Sequence, residues 1–137
     1  MIPSKEKLTE ITKELQKILR VQDWDIDVDV CSQEEFEKNG YPDEQAHNTV
    51  VRLLNKSAIY INKDATDDWY KSLVHELMHL VFDPVEQSGI VATGVTSGRV
   101  SKCIDDIYMV NMERTVERVS QIFCSVYPVT NFIKEGD

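Results

Sequence analysis

The residues best suited to chemistry are His75-Glu76-Leu77-Met78-His79, a match to the pattern H-E-x-x-H. Residues four apart on an α-helix lie on one face, a turn apart, so both imidazoles can reach a single metal ion. Glu76 sits about 100° round the helix from His75, at roughly 3.6 residues per turn. It can therefore flank the metal and accept a proton from a metal-bound water. Imidazole nitrogen suits zinc, and a catalytic zinc site has three protein ligands and a fourth position open to water. The chemistry expected is hydrolysis assisted by Zn2+, which lowers the pKa of its water to roughly 7, with Glu76 as the general base.

A third protein ligand is then required. The metzincin pattern would place glycine at position 82 and histidine at position 85, but the chain has Phe82 and Val85. Glu113 and Glu117, in Asn111-Met112-Glu113-Arg114-Thr115-Val116-Glu117, both flank the apolar stripe of a later helix and can face the motif. Asp83 and Glu86 are other acids nearby in sequence, and Asp83 lies a full turn beyond His79.

These residues need elements to position them. From Ser4 to Arg20 the residues Leu8, Ile11, Leu15, Ile18 and Leu19 recur at helical spacing. Trp24 to Val30 alternates apolar and acidic residues, the pattern of a strand with one buried face. A short helical turn is expected around Glu34 to Lys38. Thr49–Leu54 and Ser57–Asn62, joined at Asn55-Lys56, read as a hairpin. The motif helix should run from Asp67 to Phe82, with Trp69, Leu73, Leu77 and Leu80 as its buried stripe. Residues 83–102 lack a helical period and read as a long loop. A last helix is expected from Ile104 to Tyr127, ended by Pro128.

At 137 residues the chain is sized for one domain spanning 1–137. Its 42% hydrophobic and 28% charged residues are those of a globular fold. The class expected is α+β: an N-terminal helix, a small, mostly antiparallel sheet, the motif helix and a C-terminal ligand helix. Lys and Arg total 15 against 24 Asp and Glu, a formal charge of -9, which disfavours nucleic acid and anionic membranes as partners. No apolar run is long enough to span a bilayer, and the N-terminus lacks a signal-peptide core. The three cysteines form no framework, and reduced thiols fit a cytoplasmic location. The sequence carries no indication of oligomeric state.

The motif with a downstream glutamate resembles the zincin metallopeptidases, specifically gluzincins. In many of those families the ligand glutamate opens a pattern E-x-x-A-[DN], whose last residue orients a metal-bound histidine. Here the segment reads Glu113-Arg114-Thr115-Val116-Glu117, so the resemblance implies Glu113 as metal ligand with His75 and His79, and Glu117 as the supporting residue. The order of elements is similar to compact prophage-encoded metallopeptidases and, more loosely, to proteases of the ImmA/IrrE type. The resemblance implies a peptide or protein substrate bound as an extended strand, with Ala58 to Asn62 as the sheet edge that receives it. It also implies an oxyanion-stabilising side chain, for which Tyr108, Tyr60 and His47 are candidates.

Competing readings attach to each feature. A zincin-like binding or regulatory protein, with little or no hydrolysis, needs the fold but not Glu76. A latent protease would have its cleft covered by the 83–102 segment or the N-terminal helix. Glu113 and Glu117 could be a solvated face beside Arg114 and Arg118, and Tyr108 a core residue. His47 taken alone is a surface or hydrogen-bonded histidine. Trp24 and Trp69 read as core anchors, and the cysteines as buried small hydrophobes.

Overall fold

A computed structural model describes residues 1–95 and 98–134. Helix α1, Lys5–Leu19, starts where Ser4 turns extended and its hydroxyl accepts the Lys7 backbone N–H. Its stripe of Leu8, Ile11 and Leu15 is buried. Strand β1, Asp25–Cys31, follows with Val28 inward. Its acidic face meets Lys5, whose ammonium lies 2.8 Å from Asp29 and 3.7 Å from Asp27. Helix α2, Gln33–Lys38, is opened by a reciprocal capping box between Ser32 and Glu35.

Strand β2, Ala46–Val51, and strand β3, Lys56–Asn62, form the expected hairpin. The reversal uses a single 3-10 turn, Arg52–Leu54, and Asn55 at φ 49°, a left-handed conformation that asparagine tolerates better than most residues. β3 pairs antiparallel with β2, from Ala46 opposite Ile61 to Val51 opposite Lys56. Its other side pairs parallel with β1, from Asp25 opposite Lys56 to Cys31 opposite Asn62. The small sheet therefore has the order β1-β3-β2 and mixed pairing. This corrects the expectation that Ala58 to Asn62 is a sheet edge. Both sides of β3 are hydrogen-bonded, and the free edge beside the motif helix belongs to β2.

Helix α3, Trp69–Val81, carries the motif and is capped by the Asp68 carboxylate, which accepts the Lys71 N–H at 3.1 Å. The next two helices correct the expected loop over residues 83–102. Asp83–Thr93 forms helix α4, and helix α5 runs over Gly98–Val126; residues 96 and 97 lie outside the described residues. Pro84 sits in the first turn of α4, where its missing N–H has no helical partner to lose. α4 buries only Thr93, and a helix that buries so little needs no apolar period for sequence inspection to find.

The chain is thus α+β, with five helices among the described residues around the sheet. Val28, Ile59 and Ile61 of the sheet, Leu8, Ile11 and Leu15 of α1, Leu73, Val74 and Leu77 of α3, and Met112 and Val116 of α5 form one cluster. At roughly 1.5–3 kcal/mol for each large aliphatic side chain buried, α3 is held firmly between the sheet and α5. No described helix is long and apolar enough to cross a membrane.

Candidate metal centre

Burial of one stripe fixes where the next residues point. On α5, Met112, Val116 and Ser120 are buried against the rest of the fold, so Glu113 and Glu117, one position further round, face α3. On α3, burial of Leu73, Leu77 and Leu80 turns His75 and His79 toward the same space. The structure brings His75, His79 and Glu113 together, with one ligand atom from each all within 4.8 Å of one another. Glu113 Oε1 lies 3.1 Å from His79 Nε2, and Glu113 Oε2 lies 3.5 Å from His75 Nε2. These three residues are close enough to hold a metal ion.

The opposite ring nitrogens are also held. His75 Nδ1 lies 3.0 Å from Glu117, and His79 Nδ1 lies 2.8 Å from Glu86. Glu117 in turn is bound by Lys71, 2.6 Å away. Glu117 thus lies against His75, and Glu86, an alternative ligand by sequence, lies against the far nitrogen of His79 instead. The absence of a helical period over residues 83–102 concealed the helix that carries Glu86.

The electrostatics follow from these contacts. Hydrogen bonding to Glu113 raises the pKa of His75 against the cost of burial. Burial also opposes charge on His79, but the bonds to Glu113 and Glu86 outweigh it and push its pKa up to about 10. The two imidazoles hold the Glu113 carboxyl far below the ordinary carboxylate range. Glu117 is lowered chiefly by its bond to Lys71. Glu76 moves the other way: burial raises its pKa, partly countered by the charges of His79 and His75.

The donors open into a cleft of about 730 Å³ whose walls include β2, α3, Glu86 of α4, and Glu113 and Glu117 of α5. Glu76 lines it beside both histidines. Asn48 ties the strand wall to the helix wall, donating to the Glu76 carbonyl at 3.4 Å and accepting from the Ser57 hydroxyl at 2.6 Å. No residue of α1 lines the cleft. Among the described residues of 83–102, only Asp83 and Glu86 line it, as wall rather than lid.

Of the three oxyanion candidates, only His47 borders this cleft, and it also borders the hollow that Tyr60 lines, with its ring stacked on Tyr41 and 2.7 Å from Glu44. Tyr60 lines a separate hollow beside α2. The Tyr108 hydroxyl donates to the Val85 carbonyl instead. The chain matches no protein-family model, no curated protein and no solved structure, so its functional reading rests on these residues and their geometry.

Proposed function

We propose that this chain is a zinc-dependent metallopeptidase of the gluzincin type, in which His75, His79 and Glu113 hold the metal and Glu76 is the general base. The observation that carries the reading is the convergence of two imidazole Nε2 atoms on one carboxylate from another helix, with Glu76 beside them. Two nitrogens and one carboxylate oxygen are a donor set of catalytic rather than structural zinc sites.

A bound zinc ion would supply Lewis-acid polarisation of the scissile carbonyl and acidify the attacking water. Everything else falls to the chain. The Glu76 carboxylate, its proton affinity raised by burial, accepts a proton as water oxygen adds to the carbonyl carbon. As the C–N bond breaks, Glu76 returns that proton to the amine nitrogen, so acid and base roles balance over the cycle. General acid–base transfer of this kind contributes about 10²–10⁴-fold.

β2 supports a peptide substrate, because its outer edge faces the cleft and β3 already occupies its inner edge. An extended peptide added there would run along the row of donors and gain main-chain hydrogen bonds. The absence of Lys or Arg from the cleft, other than Arg52 and Lys71, speaks against a phosphate-rich partner.

A zincin-like binding protein without turnover is the second reading, and Glu76 weighs against it, since a structural centre needs no base. The deciding experiment incubates zinc-loaded protein with a broad peptide mixture and maps products by mass spectrometry. Cleavage by the wild type, lost in Glu76→Gln with zinc retained, is expected. Intact peptides throughout, with zinc bound, would favour the binding protein.

A further inference from the structure

We propose that Glu86 is the positioning residue of His79, and that α4 exists to hold it there; this rests on the metal reading above. The two histidines are oriented alike, each with Nε2 toward Glu113 and Nδ1 on a separate carboxylate. Glu117 comes from the helix that also supplies Glu113. Glu86 comes from a different helix, α4, whose place is set by contacts of its own.

Glu86 has a side chain only 13% exposed, and among the described residues its one ionic partner is His79. A carboxylate withdrawn from water is costly unless paired, so this placement is explained by the imidazole and by little else. The helix beneath it tells the same story. α4 adds almost nothing to the core, since it buries only Thr93, and polar contacts clustered around position 86 set its place.

Those contacts approach from two sides. Asp83 accepts from Arg52 Nε at 2.8 Å, linking α4 to the end of β2. The Val85 carbonyl accepts from the Tyr108 hydroxyl at 2.8 Å, linking it to α5. One turn further on, Gly89 lies directly against the Tyr108 ring, where a Cβ would come 2.0 Å from Cζ. A side chain at position 89 would push the Tyr108 ring aside, together with its bond to the Val85 carbonyl, so glycine lets α4 and α5 meet this closely beside Glu86.

The chemical effect is tautomer control. A carboxylate on Nδ1 keeps the proton on that nitrogen and leaves the Nε2 lone pair directed at the metal. Without it the ring can rotate or protonate at Nε2, and the donor is lost.

The test measures zinc affinity by competition with a chromophoric chelator for wild type, Glu86→Ala, Glu86→Gln and Gly89→Ala. Nitrogen-15 NMR of His79 in the zinc-loaded proteins reads the tautomer directly. Loss of such a partner costs roughly 10–100-fold in metal affinity, which is the result expected for Glu86→Ala. Glu86→Gln keeps an acceptor oxygen and should fall between it and the wild type, and it serves if the alanine variant fails to fold. Gly89→Ala should weaken zinc binding without altering any charged group.

Wild-type affinity in Glu86→Ala or Glu86→Gln, with the His79 proton still on Nδ1, would overturn the proposal and leave the metal centre standing. A wild type that takes up no zinc would overturn the metal reading itself, a result distinguishable from the first.

Discussion

Glu113 of α5 sits with its two carboxylate oxygens 3.1 Å from Nε2 of His79 and 3.5 Å from Nε2 of His75 on α3. One acid thus bridges two imidazoles whose own spacing is set by a single helical turn. The same three side chains are close enough to share one cation.

The first prediction concerns pH. His79 carries a raised pKa of about 10 against an ordinary 6.5, so its stabilisation of metal-free protein is fully present below 6.5 and fades as pH rises toward 10. Glu113 is lowered from 4.5, so its contribution is present above 4.5 and fades as acid protonates it. Metal-free protein should therefore be most stable between about 4.5 and 6.5 as far as this site is concerned. Zinc uptake must displace imidazole protons, so apparent zinc affinity should rise with pH up to about 10. Calorimetry in buffers of differing ionisation enthalpy would detect the released protons; uptake without release would contradict the raised pKa of His79.

Glu76→Gln should leave metal binding intact, because Glu76 is absent from the three converging donors. Peptide hydrolysis should drop by about 10²–10⁴-fold, the loss of a general base. Parallel zinc titration and product analysis would check it, and a matched fall in zinc content would place Glu76 among the ligands.

Leu77, inside the motif yet fully buried, anchors the other side of α3. Leu77→Ala should destabilise the fold by about 2–5 kcal/mol, the usual range for such a cavity. Urea unfolding of the metal-free protein would measure this. A change under 1 kcal/mol, on the order of a surface substitution, would mean that α3 is not gripped as described.

The thiols should differ in reactivity. Burial pushes Cys124 up to about 11, while Cys103 is exposed on the outer side of α5. Alkylation at neutral pH should label Cys103 well before Cys124, since the thiolate is the reactive form. Mass spectrometry of a time course decides, and equal rates would contradict the packing of α5 against α3.

Much of this arrangement was legible in the residues because burial wrote it there. The α1 stripe, the alternation in β1 and the motif helix each carry a period that core packing demands, and each forms within a residue or two of its expected bounds. Glu113 and Glu117 were found by their place beside Met112 and Val116, which α5 buries. The α4 helix was not, because it buries only Thr93 and holds its place through Arg52, Tyr108 and Glu86, contacts that leave no periodic trace. The edge at Ala58 to Asn62 is implied by the resemblance alone, and the parallel contact of β3 with β1, a long-range choice that neither segment encodes alone, moves the edge to β2.

The most direct test of the central claim is elemental analysis of protein purified without metal-binding tags, on the wild type, Glu113→Ala and Glu117→Ala. One zinc per chain is expected in the wild type, with loss in Glu113→Ala and retention at weaker affinity in Glu117→Ala. A wild type that binds no zinc when supplied, or a Glu113→Ala variant that holds it as tightly as the wild type, would contradict the account.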